Sequence, residues 1–230
     1  MLGFGQSSRP QAVAFDVIGT LFPLEPLRPR IVALGLPPAA LEGWFAAGLR
    51  DAFALDVTGD FAPFAKVLEA ALDGALAEQG LTAASGDTHA LAKGLEQLDA
   101  RPGAAEAFAL AAEAGTPIVA LSNGASSSTK ALLDRAGLLP RVAHVVSVDE
   151  VRLSKPRAEV YLHAARIAGV DRHKLALVAA HGWDVNGAAA AGLVTAYLSA
   201  EQPFSPVMRK PDVEGATLPD CVRALLALKP

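Results

Sequence analysis

Five short apolar runs alternate with alanine-rich segments of helical spacing, and no other feature of the chain constrains its fold as strongly. The runs cover residues 12–18, 117–121, 142–148, 175–180 and 193–198. Each has the length of a strand, and apolar residues at successive positions require cover on both strand faces. Between them, residues 104–114, 126–136, 158–167 and 185–191 carry helical periodicity. Doubly buried strands alternating with helices predict an α/β fold built on a parallel sheet.

Residues 24–98 break this rhythm. They contain no strand signal; residues 39–55, 61–78 and 89–98 read as helices, punctuated by Pro37-Pro38, Gly59, Gly80 and Gly86. At ~150 residues per domain, the 230 residues amount to about one and a half domains. The expected organisation is an α/β core from residues 1–23 plus 99–230, interrupted by a helical insertion over 24–98. Trp44, Phe45, Phe53, Phe61 and Phe64 are expected to pack within that insertion or between it and the core.

Hydrophobic residues make up 52% of the chain and charged residues 19%, against ~25% in average soluble domains. Much of the excess is alanine. The longest uncharged stretches, 114–129 and 185–200, are 16 residues each and contain Asn, Gly or Ser. Both fall short of the ~20 apolar residues that cross a bilayer. Net charge is 20 − 24 = −4, with no basic block to bind nucleic acid. Cys221 is the single cysteine and is expected to be a small buried apolar residue. Residues 1–11 lack the apolar core of a signal peptide. A soluble cytoplasmic protein without nucleic-acid or membrane partners is the expectation.

Ligands of open parallel sheets bind beyond the carboxyl ends of the strands. Here the first run carries Asp16, followed by Val17-Ile18-Gly19-Thr20, and the second is followed by Ser122-Asn123-Gly124. Lys155-Pro156 opens the helix leading to the fourth strand, which ends in His181-Gly182-Trp183-Asp184. Taken singly, these are a turn aspartate, ordinary turn chemistry, a solvated lysine and a helix N-terminal acid. Taken in order, they bring two carboxylates, an ammonium and a hydroxyl–amide pair to one rim.

That ordered set resembles the haloacid dehalogenase superfamily from Ala12 to about Pro206. Residues 15–22 (FDVIGTLF) are similar to its first motif, Leu121-Ser122-Asn123-Gly124 to the second and Lys155-Pro156 to the third. Trp183-Asp184 with Gly187-Ala188 is similar to the fourth. The resemblance implies a Rossmann-like core with an inserted α-helical cap. Ser154-Lys155-Pro156-Arg157 with Tyr161, and the Trp183-Asp184 pair, are most similar to the 2-haloacid dehalogenase branch.

For this branch the resemblance implies that Asp16 attacks the carbon bearing halogen and forms an ester. Water then opens the ester and releases a 2-hydroxy acid, with Asp184 acting as base or as orienter of Lys155. Lys155 keeps Asp16 ionised and Thr20 supports its loop. Ser122, Asn123 and the backbone at Val17 and Ile18 bind the carboxylate of a small acid, Tyr161 positions Lys155 or water, and Trp183 lines the site. The resemblance implies no cofactor and allows a homodimer.

Two alternatives remain open at this point. A Mg²⁺ phosphatase carries a second aspartate two residues after the nucleophile, where this chain has Ile18, which transfers no proton. The positions four and five before Asp184 are Ala180 and Ala179, leaving the ion Asp16, a carbonyl and Asp184. A non-catalytic ligand-binding protein on the same fold is the other alternative, suggested by Ile18, Phe45 and Ala179. The dehalogenase branch places a halide-cradling arginine in the cap after a tryptophan. Aligning Trp44 and Leu49 puts Phe45 there, and Arg50, Arg28 or Arg30 are the residues available to replace it. His181 stands where the branch carries an asparagine, and either orders water or packs.

Overall fold

The computed structural model describes residues 8–82, 84 and 86–230. Among these, six parallel strands form one sheet: β1 (Ala12–Asp16), β2 (Ile118–Ser122), β3 (Val142–Ser147), β4 (Leu175–Ala179), β5 (Val194–Leu198) and β6 (Val213–Gly215). Their spatial order is β3-β2-β1-β4-β5-β6. This Rossmann-like order puts β1 at the centre, where the chain turns from building one side of the sheet to building the other.

Alternate residues of each central strand feed opposite cores. Val13, Phe15, Ile118, Ala120, Ala176 and Val178 belong to one cluster. Ala12, Ala14, Val119, Leu121, Leu175 and Leu177 belong to the other. All five residues of β1, β2, β4 and β5 are buried, which is why these strands read as continuous apolar runs. The helices α5 (Ala104–Glu113), α6 (Ser126–Arg135), α7 (Ala158–Ala168), α8 (Gly182–Ala191) and α9 (Leu218–Leu226) cover the sheet. No helix among the described residues is long and apolar enough to cross a membrane.

Between β1 and β2 the chain forms α1 (Arg28–Ala33), α2 (Ala40–Thr58), α3 (Phe64–Glu78) and α4 (Asp87–Gly94). α2 runs three residues past its expected end and stops at Gly59, a left-handed cap. α3 starts at Phe64 rather than residue 61, because Pro63 sits at its N-cap in an extended conformation. α4 ends early, and residues 95–97 tighten into a 3₁₀ turn. Trp44 is buried and donates from Nε1 to Leu68 O at 2.8 Å, joining α2 to α3. Phe53 meets Trp183 edge-on, and Arg152 lies over the Phe61 ring at 5.1 Å.

Three elements escape the sequence reading: α1, β6 and α9. Cys221 is buried on α9, and burial pushes its thiol up to about 12, so it is an inert packing group.

Candidate active site

The strand ends converge as the sequence order implies. Asp16 closes β1, Ser122 closes β2, Lys155 lies before α7, and Asp184 sits in the first turn of α8. Lys155 is fully buried, and its Nζ donates to Asp16 Oδ1 at 2.6 Å, Asp184 Oδ2 at 2.7 Å and Leu121 O at 3.2 Å. Three acceptors match the three N–H donors of an ammonium. Tyr161 Oη donates to Asp184 Oδ1 at 2.6 Å. Thr20 Oγ1 donates to Asp16 Oδ2 at 2.6 Å while accepting from Ala180 N at 2.9 Å, which ties the β1 loop to the end of β4.

His181 Nδ1 lies 2.9 Å from Asp16 Oδ2. Facing an ionised carboxylate, which only accepts, that nitrogen must carry the proton. The imidazole is stacked between Phe45 and Trp183, with ring centroids 6.0 and 5.4 Å away. Gly19, at φ +83°, makes room for it: a Cβ there would lie 2.6 Å from the ring. Gly187 serves the same purpose opposite, since its Cβ would lie 2.5 Å from Pro156 and 2.7 Å from the Tyr161 hydroxyl.

The electrostatics separate the two carboxylates. Burial works to raise the Asp16 carboxyl, but the charge of Lys155 and the bond and charge of His181 outweigh it, holding Asp16 well below the usual carboxylate range. Asp184 moves up, because burial and then the neighbouring Asp16 charge outweigh the pull of Lys155. Burial lowers the Lys155 ammonium, yet both carboxylates together raise it. Burial, followed by the Asp184 charge, pushes the Tyr161 phenol well up, so it stays a donor.

A cavity of ≈ 260 Å³ opens on this cluster. Its polar half is Asp16, Ser122, Asn123, Gly124, Lys155 and His181, and its apolar half is Ile18, Phe45, Leu49, Phe64 and Trp183. Asn123 Oδ1 accepts from Lys155 N at 3.0 Å, and Ser122 Oγ accepts from Gly124 N at 2.9 Å. The Asn123 amide N–H groups and the Ser122 hydroxyl proton take no part in those two bonds.

Several sequence expectations are corrected by this arrangement. None of the three arginines lines the cavity. Arg50 is largely exposed and paired with Asp51; Arg28 binds Glu25, Glu42 and Pro38 O; Arg30 donates to Gln97. The Val17 side chain is buried in the core and lines no part of the cavity, so the role expected of this residue stays with its backbone. Tyr161 does not line the cavity either and touches Asp184 rather than Lys155 or substrate space. Asp184 has no exposure, and both its oxygens are engaged.

Two further residues shape the site without a local sequence signal. Arg101 Nε and Nη2 donate to Thr20 O at 2.7 Å and Gly19 O at 2.9 Å, fixing the loop after Asp16. Asp56 of α2 accepts from Ser154 N at 3.0 and 3.1 Å, linking the inserted helices to the residue before Lys155. Leu49 and Phe64 join the cavity wall; Phe64 was expected only as packing.

Magnesium does not fit this donor set. Lys155 Nζ occupies the space between the two carboxylates, and all four carboxylate oxygens already accept protein hydrogen bonds. Among the described residues no group of three His, Cys, Asp or Glu side chains is placed to hold a metal ion.

Asp16 thus sits at the centre of a Rossmann-like sheet with its carboxyl held below the usual range, bonded to a buried lysine and facing the cavity. The chain belongs to the haloacid dehalogenase-like hydrolase family, whose model matches residues 10–192. Over 105 residues it is 33% identical to the (S)-2-haloacid dehalogenase of Pseudomonas sp. (strain YL), a stretch covering 45% of each protein. Over 223 residues it is 28% identical to (S)-2-haloacid dehalogenase 4A of Burkholderia cepacia, covering 96% of this chain and 94% of that one. The structure of L-2-haloacid dehalogenase from Xanthobacter autotrophicus with chloropropionic acid covalently bound superposes with TM-score 0.85 at 25% identity. That match covers 95% of this chain and 99% of the other.

Proposed function

We propose that the chain hydrolyses the carbon–halogen bond of a small (S)-2-halo carboxylic acid, by displacement at Asp16 and without a metal. The observation that carries this reading is the Asp16–Lys155–Asp184 cluster opening on a cavity that is polar on one side and apolar on the other. The names of the relatives supply the substrate class and hand. Residues 24–98 serve as the cap that closes the cavity, and the buried thiol of Cys221 suits a reducing cytoplasmic setting.

The substrate carboxylate binds at Ser122, Asn123 and the backbone beside Ile18, and its halogen lies against the wall of Ile18, Phe45, Leu49, Phe64 and Trp183. Of the Asp16 oxygens, Oδ2 takes two donors and Oδ1 only Lys155. Oδ1 is therefore the freer nucleophile, and it attacks C2 while halide departs as an anion. Ile18 suits this step, since the leaving group needs no proton. In the ester, Oδ2 becomes the carbonyl oxygen, already facing Thr20 Oγ1 and His181 Nδ1. These two donors receive the negative charge that builds when water adds to Cγ. Asp184, with both oxygens engaged, acts as the orienter of Lys155. Collapse of the adduct places one proton of the water on the departing C2 oxygen and sends the other to solvent, releasing the 2-hydroxy acid and restoring the Asp16 carboxylate.

The test is halide release from each enantiomer of 2-chloropropionate, with and without a chelator. Release from the (S) form alone, unchanged by chelation, is the expected result. Absence of release from both forms would sink the reading, and turnover of an aryl phosphate that stops on chelation would replace it with the phosphatase alternative.

A further inference from the structure

We propose that a second cavity, of ≈ 580 Å³ and continuous in its walls with the first, binds the tail of the substrate, and that this tail is an unbranched aliphatic chain at C2 of a 2-halo acid. The proposal rests on the reaction assigned to Asp16 and extends it to a substrate class.

The two cavities share Ile18, Phe64, Ser122 and Gly124, so the larger space borders the reaction cavity along these residues. The second cavity has the greater free volume of the two. Leu68, Ala92, Leu95 and Leu132 wall the larger cavity, Leu68 from α3, Ala92 from α4 and Leu132 from α6. Ile18 therefore has a second consequence: it presents apolar surface at the junction, where a second aspartate would present a carboxyl to an alkyl chain.

The polar residues of this cavity decide the charge of its occupant. Ser128 donates to Glu96, which Lys93 also approaches at 3.5 Å. Asp149 turns a buried Oδ1 that accepts no hydrogen bond. Among the described residues the cavity walls contain acids and no cation. A tail ending in a carboxylate would meet like charge here, and the walls of Leu68, Ala92, Leu95 and Leu132 favour an apolar tail over a charged one. Burial of apolar surface is then the main source of its affinity.

The experiment measures kcat/KM of the full-length protein for 2-bromopropionate, 2-bromobutanoate and 2-bromohexanoate by bromide release. Each added methylene is expected to raise kcat/KM about fourfold, the factor equivalent to ~0.8 kcal/mol per buried CH₂. Ala92→Phe, which fills the second cavity, is expected to lower the hexanoate-to-propionate ratio at least about tenfold, with Leu132→Phe as the replacement if it does not fold. A ratio is used because partial unfolding lowers both rates together. Turnover of 2-bromopropionate with flat or falling rates for longer acids would overturn the tail assignment alone. So would an unchanged ratio in the filled variant. Absence of bromide release from all three acids would overturn the reaction assignment and the tail with it.

Discussion

Asp16→Asn is expected to reduce halide release by ~10⁴–10⁶-fold, the size of loss seen when a covalent nucleophile is removed. Of the residues lining the reaction cavity, Asp16 is the only carboxylate, so no neighbour can form the ester in its place. The substitution keeps the shape of the side chain. Its amide oxygen can accept from Lys155 while its NH₂ faces Thr20, whose hydroxyl can turn, and His181, whose ring can exchange tautomers. The variant should therefore melt cooperatively, and halide assays beside thermal melts separate lost chemistry from lost fold. A residual rate within tenfold of wild type would remove Asp16 from the reaction.

Lys155→Met is expected to destabilise the protein by ~3–5 kcal/mol at pH 7, the cost of stripping the partner from a buried charge pair. For a chain of this size that corresponds to a fall in Tm of about 6–20 °C. The reason lies in the burial: Lys155 has no exposure, and it separates two carboxylates that are themselves almost wholly out of water. Methionine fills much of the volume but leaves two like charges facing each other. The pH dependence follows from the Asp16 shift. Its folded carboxyl lies below the ordinary value of 3.8, so the pair contributes stability that is present above that value and lost as pH falls towards the folded pKa. The deficit of Lys155→Met should accordingly shrink at acid pH, where the unpaired carboxylates can protonate. Denaturant melts across that range measure it; a deficit that stays constant would mean packing, and not charge, is the cause.

The central sheet was legible because its signals are local. A strand covered on both faces is apolar along most of its length, and β1, β2, β4 and β5 show this within five residues each, with Asp16, Ser122 and Thr195 the polar exceptions. The motif residues were legible for a related reason, since each stands at or just beyond a strand end or at the start of a helix. β6 was not, because three residues, Val213–Gly215, show no periodicity. α9 did carry a readable start, with Thr217 accepting from Asp220 N at 3.3 Å and a proline in its first turn.

The cavity wall required the fold. Asp56 reaches Ser154 across 98 residues and Arg101 reaches Thr20 across 81, and neither pairing leaves a mark on neighbouring sequence. The arginines illustrate the same limit. Each stands in or beside the inserted helices, yet Arg28, Arg30 and Arg50 all pair with residues that do not line the cavity. The cavity keeps Phe45 and Phe64 in the apolar wall, meeting edge to face at 6.0 Å.

A single-turnover reaction in water enriched in heavy oxygen, with enzyme in excess over (S)-2-chloropropionate, tests the ester most directly. Attack of water on the Asp16 carbonyl predicts that the first turnover places the label in the peptide containing Asp16, while the 2-hydroxy acid carries unlabelled oxygen from the enzyme. Label appearing in the 2-hydroxy acid at the first turnover, with the Asp16 peptide unlabelled, would show that water attacks the substrate itself and would contradict the account.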